Sequence, residues 1–316
     1  MYNVIKKISR YVYRLIAKYL LYGNFPYAYA RYYYWEKLRK KLNYKNPVDF
    51  NEKLFWLARY WQDPRVVQCA DKLAVREYIK SLGLDYILND IYVIYDRADD
   101  IDFKVLPEKF VIKTNHCGGG SFIVICDDKS KINQDETIEK IKEGLNTVIG
   151  LSSCEYQYQY IIPRAFAEKF IEDSNNERIE IQFFCFNGKV RHILVRNDLG
   201  ISNKNPFAIS YDVNWNRVHE RKNEDMSINI PRPIKLDEMI KIAEKLASPF
   251  PQVRIDLYYV ETKIIFGEMT FSSSGNILWN YKEDVLKEWG RELELPNKLS
   301  IKWCDVYKKQ KPSNKN

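Results

Sequence analysis

Lys113 stands in an apolar run and is followed closely by three glycines and a serine, in the stretch FVIKTNHCGGGS. A hairpin would explain the glycines, since good strand formers flank them. It would leave Lys113 unexplained, and three glycines cost more backbone entropy than a tight turn needs. A loop lying over a polyphosphate accounts for both features: glycines let backbone N–H groups approach the oxygens, and the lysine supplies a point charge. The stretch fits neither a P-loop, because no Lys-Ser/Thr follows, nor the G-x-G-x-x-G spacing of a dinucleotide fold. A second set of chemical groups lies far along the chain, in VRIDLYYVETKIIFGEMTF. Arg254 and Asp256 alternate with period two and share a strand face, as do Glu268 and Thr270 on the next strand. If the strands pair as a hairpin the two carboxylates meet, and they repel unless a cation sits between them. Oxygen-only ligands suit Mg²⁺, which takes one or two carboxylates together with substrate phosphates. A pair of acids on a solvated sheet face is the plainer alternative.

Holding these groups requires both sheets and helices. Residues 4–20 spell an amphipathic helix, with Ile5, Ile8, Val12, Leu15 and Tyr19 on one stripe and Lys6, Lys7, Arg10, Arg14 and Lys18 on the other side. A tyrosine-dense helix is expected over 27–42. This basic helical region either docks on the main body or lies on an anionic membrane surface. Asn46-Pro47 ends it, and Asp49 or Asn51 caps a helix whose apolar face is Leu54, Leu57 and Trp61. DPRVVQCADKLAVREYIKSLGL reads as one further helix, ended by Gly83. Strands are expected near 91–95, 110–114, 122–126 and 165–170, and around 179–186 and 189–196 on either side of an FNG turn. Helices at 134–146 and 236–247 alternate with them, and no repeat divides the chain. The class is α+β or mixed α/β.

A chain of 316 residues has room for two or three subdomains with cores of their own. Its six cysteines, Cys69, Cys117, Cys126, Cys154, Cys185 and Cys304, show no C-x-x-C spacing, so neither zinc nor a disulfide framework is suggested. They read as reduced thiols of a cytoplasmic protein. No apolar stretch reaches the roughly eighteen residues of a membrane span, and no cleavable signal is visible. The net charge of +8 admits anionic substrates or a membrane surface. With no helix-turn-helix, RNA-recognition or zinc-finger signature, no nucleic-acid role is expected. The Lys-rich tail KKQKPSNKN is expected to be disordered.

Four separated motifs line up: DK at 71–72, VIK with its glycine loop, EKFIE at 168–172, and RID followed by GEMT. In order and spacing they resemble the ATP-grasp superfamily over about residues 46–290, in the layout of biotin carboxylase and D-alanine ligase. The phrases DPRVVQCADKLAVREY, VIKTNHCGGG and FFCFNGK are similar to the TupA-like branch, which is associated with bacterial surface-polysaccharide and teichuronopeptide loci. The resemblance implies an α+β, ATP-grasp fold with the nucleotide bound between two α+β subdomains and a helical N-terminal extension. The corresponding segments are 1–45 for the extension, 46–105 for a preceding region, 106–170 for the subdomain with the glycine loop, 171–295 for the subdomain with the metal site, and 296–316 for the basic tail.

The same resemblance assigns roles. Lys72 and Lys113 match the lysines that hold the nucleotide phosphates, and Gly118, Gly119, Gly120 and Ser121 match the loop that closes over them. Glu168 and Lys169 match the segment that contacts adenine, with the backbone near Phe170 and Ile171 reading its edge; Glu172 falls near the ribose position. Asp256 and Glu268 match the Mg²⁺ ligands, and Arg254 an arginine that stabilises the transferred phosphoryl group. Thr270 departs from the pattern, because many members carry Asn there. Arg76, one turn beyond Lys72, is either a further phosphate contact or a surface arginine. His116 either touches phosphate or substrate, or steadies the loop. His192 and Arg196 share a strand face that could receive an anionic acceptor, or simply be solvated; Arg191 points the other way. The implied activity is an ADP-forming, ATP- and Mg²⁺-dependent carboxylate–amine ligase. Its substrates would be an amine and a carboxylate-bearing glycan or sugar-nucleotide, the carboxylate being that of a uronic acid or acidic amino acid of a bacterial capsule or cell-wall polysaccharide. A kinase for a sugar or lipid-linked hydroxyl and a non-catalytic nucleotide-binding module are the rival readings. A homo-oligomer and peripheral membrane contact through residues 4–20 are the further partners considered.

Overall fold

The computed structural model of the protein describes residues 25–118, 120–171, 179–197 and 207–309. The helix expected over 4–20, the tail from 310 onward, Gly119 and Glu172 lie outside these residues. The tyrosine-dense segment forms α1 (Pro26–Leu38), shorter than expected because Arg39 takes a left-handed conformation that ends it. Its Tyr29, Ala30 and Tyr34 enter the main core, so this helix docks on the body. Asp49 caps α2 (Phe50–Tyr60) by accepting from the Glu52 N–H, and Phe50, Leu54 and Phe55 face inward.

The single helix expected from Asp63 to Gly83 is two. Asp63 caps α3 (Pro64–Ala70), and α4 (Val75–Ser81) follows after a break. The break lies at Asp71, whose backbone is extended and whose Oδ1 accepts from the Leu73 N–H at 2.8 Å. An aspartate that bonds its own backbone two residues on competes with the helix ladder. The Lys72 N–H leaves the helix too, and donates to the Asn115 carbonyl at 3.1 Å.

Two antiparallel sheets follow, an α+β arrangement. The first is built from β1 (Ile91–Tyr95), β2 (Phe110–Thr114), β3 (Ile123–Cys126) and β4 (Ala165–Lys169) in the order β1-β4-β2-β3. Its edge strand β1 lies before residue 106, so this sheet begins earlier than the sequence boundary placed it. Phe110, Ile112, Ala165 and Ala167 pack with Ile141 of α5 (Gln134–Leu145) in a core of their own. Because β2 and β3 do pair, the glycine stretch is a hairpin connection as well as a candidate phosphate loop. The second sheet contains β5 (Ile179–Phe186), β6 (Lys189–Arg196), β7 (Ala208–Tyr211), β8 (Gln252–Val260) and β9 (Lys263–Thr270), ordered β7-β6-β5-β8-β9. On one face, Phe183, Val253 and Ile255 join Met239, Ile242 and Leu246 of α6 (Leu236–Ala247), whose apolar stripe recurs at three- and four-residue spacing. Further along the chain lie α7 (Glu283–Glu292) and the short α8 (Trp303–Val306). Trp289 of α7 sits against Phe184, Phe186 and Tyr281, and the helix passes so close to α2 that a Cβ on Gly290 would lie 2.2 Å from the Val48 carbonyl oxygen.

Candidate active site

The pairing of β8 with β9 sets Asp256 opposite Glu268 and Arg254 opposite Thr270, so the carboxylates meet across the hairpin as expected. A bulge makes this possible. The register shifts between Asp256 and Leu257, and Gly267 is the extra residue, close enough that a Cβ there would lie 3.0 Å from the Asp256 carbonyl oxygen. The cation between the acids is Arg254. Its Nε donates to Asp256 Oδ1 at 2.7 Å, and its Nη2 donates to Asp256 Oδ2 at 2.5 Å, to Glu268 Oε1 at 3.0 Å and to Thr270 Oγ1 at 3.1 Å. Thr270 in turn donates to Glu268 at 3.0 Å. Burial works against the charge of Arg254, but Asp256 and Glu268 outweigh it and hold the guanidinium firmly protonated.

Lys72 from the break between α3 and α4 and Lys113 from the first sheet come to the same place. Lys72, released from the helix by the break at Asp71, donates from Nζ to the Cys117 carbonyl at 2.7 Å and lies 3.8 Å from Glu268 Oε2. Burial lowers its pKa, and Glu268 opposes that fall. Lys113 on β2 pairs with Glu168 on β4 at 2.6 Å and rests over the Phe166 ring. Burial opposes the charge of Glu268, yet Lys72 and Arg254, with Lys113 behind them, keep it below the usual carboxylate range. Gly118 and Gly120 have open space where a side chain would be, with Gly120 at φ +77°, and Ser121 beside them is exposed. Lys169, Phe170 and Ile171 line a cleft of about 520 Å³ with Val260, Ile264 and Ile265. The Lys169 side chain reaches Asp90 at 3.7 Å.

Other expected residues lie elsewhere. His192 is a correction: its Nδ1 is 2.7 Å from Glu220, its Nε2 is 3.0 Å from Glu292, and its ring stacks on Trp289, so both nitrogens are committed to holding α7 against the sheet. His116 is fully buried with Nε2 on the Thr147 carbonyl, and burial pushes its pKa down to about 4. It steadies the loop as a neutral ring. Arg76 lines a separate shallow cleft with Arg164 along β1. Arg196 does face the site, lining a cleft of about 430 Å³ together with Arg254 and Arg221.

Several residues around the centre carry no sequence signal. Glu180 and Gln182 of β5 share the face of Asp256, and Gln182 donates to both acids, at 3.1 and 3.3 Å. Burial raises the Glu180 pKa to about 8, with Asp256 adding to the rise. Asn115 is the joint of the structure. Its Nδ2 donates to Asp71 and the Ile162 carbonyl, and its Oδ1 accepts from the Arg164 N–H, at 2.9, 3.0 and 2.8 Å. Glu155, half-buried near the centre, accepts from the hydroxyls of Ser153 and Ser272. Among the described residues no group of three or more His, Cys, Asp or Glu could hold a metal by itself.

A family model described as TupA-like ATPgrasp matches residues 52–293. No curated protein matches the chain. Among solved structures, the D-alanine–D-alanine ligase from Bacillus anthracis is similar at 16% identity and a TM-score of 0.39, with 65% of this chain and 57% of that chain covered. The D-alanine–D-alanine ligase from Helicobacter pylori is similar at 16% identity and 0.40, with 72% and 61% covered. The D-cycloserine synthetase DcsG is similar at 12% identity and 0.41, with 73% and 72% covered. The chain spans less than two thirds of the length of these two D-alanine–D-alanine ligases.

Proposed function

This chain belongs to the TupA-like ATP-grasp family, and from that premise we propose that it is an ADP-forming carboxylate–amine ligase working on Mg-ATP. The observation that carries the reading is the convergence of Lys72 from the first sheet's side with Glu268, Asp256 and Arg254 of the second. The donor set fits the metal: two carboxylates and a hydroxyl offer only hard oxygens, and a guanidinium already sits where a cation would. Mg²⁺ held by Asp256 and Glu268, with Thr270 as a weaker third oxygen, would offset charge on the transferring phosphoryl group. Lys113 and Lys72 hold the phosphates, and the backbone of Lys169 to Ile171 lies along the adenine. With a cation held by the acids, Arg254 would be free to face the phosphoryl oxygens and stabilise their charge. The loop from Gly118 to Ser121 covers the centre and keeps out water. The acceptor carboxylate attacks the γ-phosphorus, giving an acylphosphate and ADP. The amine then displaces phosphate, forming the amide and releasing a proton.

A hydroxyl acceptor would require a general base near that phosphorus. Of the candidates for that base, His116, His192 and the acids, the two histidines are committed, His116 to Thr147 and His192 to its glutamates. The carboxylate is proposed to belong to a uronic acid or acidic amino acid of a bacterial capsule or cell-wall polysaccharide. The test is a screen of uronic-acid acceptors and amines with ADP release and product mass as readouts. Amide plus free phosphate supports the ligase; a phosphoester without free phosphate overturns it. No helix of the described residues is long and apolar enough to cross a membrane. The stretch 4–20 would instead bring the protein to an anionic membrane surface, which vesicle sedimentation at low and high salt tests.

A further inference from the structure

We infer that the cleft beside Arg254 takes an acceptor with two anionic groups, one that reacts and a second that Arg221 holds. The inference rests on the ligase reading and deepens it. The cleft, about 430 Å³, contains three arginines: Arg196, Arg221 and Arg254. Arg254 already faces Asp256 and Glu268, and the field of Arg196 reaches Glu180 and Asp256. Arg221 differs. Its guanidinium lies over the Tyr281 ring at 5.9 Å and pairs with no carboxylate among the described residues. Asp225, the acid in the lining, is occupied by the N–H and hydroxyl of Ser227 at 2.9 and 2.6 Å.

An independent observation points to the same ligand. Ser273 is 2% exposed, its Oγ has no hydrogen-bond partner among the described residues, and it lines this cleft. A buried hydroxyl left unpaired costs free energy that a bound polar group would recover. Phe184, Leu194 and Leu278 supply an apolar wall nearby. Hydroxyl acceptors, an apolar wall and an arginine stacked on a tyrosine together suit the ring of an acidic sugar. A single carboxylate engages the Arg254 side and leaves Arg221 with nothing to neutralise. The second group is therefore an oxyanion that a guanidinium can grip in bidentate fashion: a neighbouring uronate carboxylate or a phosphate ester.

The experiment is calorimetric titration of the full-length protein saturated with Mg-ADP, using galacturonate, digalacturonate and galacturonate 1-phosphate. At least one dianion should bind roughly ten- to a hundredfold tighter than galacturonate, the range expected for hydrogen bonds to a charged group. Which dianion gains identifies the source of the second charge. Arg221→Gln should abolish that advantage while leaving galacturonate affinity and the Mg-ADP thermal shift unchanged, and Arg221→Lys should restore part of it. Ser273→Ala should weaken all three ligands alike. Equal affinity of monoanion and dianions, no dianion binding to the parent, or an advantage that survives in Arg221→Gln overturns the inference. Failure of the parent protein to respond to Mg-ADP is a separate result, and it removes the nucleotide site instead.

Discussion

Arg254, its side chain 13% exposed, sits among two carboxylates and a hydroxyl, and that setting decides what substitution there does. Two facing acids alone would repel, and neutralising them would relieve strain. With a guanidinium already between them the sign reverses. Asp256→Asn combined with Glu268→Gln leaves a buried cation without its counter-charges, and breaking a buried pair costs about 3–5 kcal/mol. Urea unfolding without metal should show a loss of that order, and Mg²⁺-dependent ADP release should vanish. Unchanged stability would mean that the acids do not hold the arginine. Lys113 makes a different prediction. It pairs with Glu168 at 2.6 Å, both side chains mostly buried, so Lys113→Ala removes a charge aimed at the phosphates and leaves Glu168 without its counter-charge. The thermal shift with Mg-ADP should disappear while unliganded melting changes by only a few degrees. An undiminished shift would remove Lys113 from the nucleotide site.

At the scale of elements, two joints place these side chains. The bulge at Gly267 lets Glu268 stand opposite Asp256 while Phe266 turns to the core. Gly267→Ala puts a Cβ 3.0 Å from backbone and 3.3 Å from the Tyr258 ring, contacts that the Asp256 strand must relieve by a few tenths of an ångström. Turnover should fall about tenfold or more, with an overpacking cost of roughly 1–3 kcal/mol in unfolding. Parental kinetics would show that the strands can absorb the methyl. Asn115 is the second joint. Asn115→Ala removes at once a donor to Asp71 and the Ile162 carbonyl and an acceptor of the Arg164 N–H, each a hydrogen bond worth about 0.5–1.5 kcal/mol. The alternation of VRIDLYYV made the Arg254–Asp256 face legible in sequence, because period two is enforced wherever one sheet face meets a helix. The Lys113 strand was legible for the same reason. Asn115 was not, since its partner Asp71 is 44 residues away and nothing local distinguishes it from a turn asparagine. Glu180 reads as an ordinary strand acid until the register brings it beside Asp256. Arg221 lies outside the strands and helices, where periodicity carries no information. The helix break at Asp71 is not legible in sequence because DKLAVREY has good helical periodicity, which one side-chain bond to the Leu73 N–H overrides.

Across the whole molecule, two separate cores flank a centre with more carboxyl groups than its arginine can neutralise, and this makes stability depend on pH. Glu180 is the clearest case, raised by burial and then by Asp256 from 4.5 to about 8. A carboxyl held above its unfolded value binds its proton more tightly in the fold. Its contribution is therefore complete below about pH 4.5 and is lost as pH rises through about 8. His192 acts in the same direction: burial opposes its charge, but Glu220 and Glu292 outweigh it and raise its pKa, so that its stabilisation also fades as pH rises. His116 has the opposite sign. Burial lowers it from 6.5 to about 4, so the stability it gives as a neutral ring is lost as pH falls through that interval. The metal-free protein should therefore melt highest in mildly acidic solution and lose stability on both sides. Glu180→Gln should flatten the alkaline side and leave the acidic side as it was. Mg²⁺ should flatten the same side in the parent, because a cation at Asp256 and Glu268 favours the ionised form of the acid beside them. Melting scans from pH 4 to 9, with EDTA or with Mg²⁺, read all of this directly. An alkaline slope that persists in Glu180→Gln would assign it to His192 or Glu155, whose pKa values are also raised, and a slope indifferent to Mg²⁺ in the parent would separate Glu180 from the metal centre.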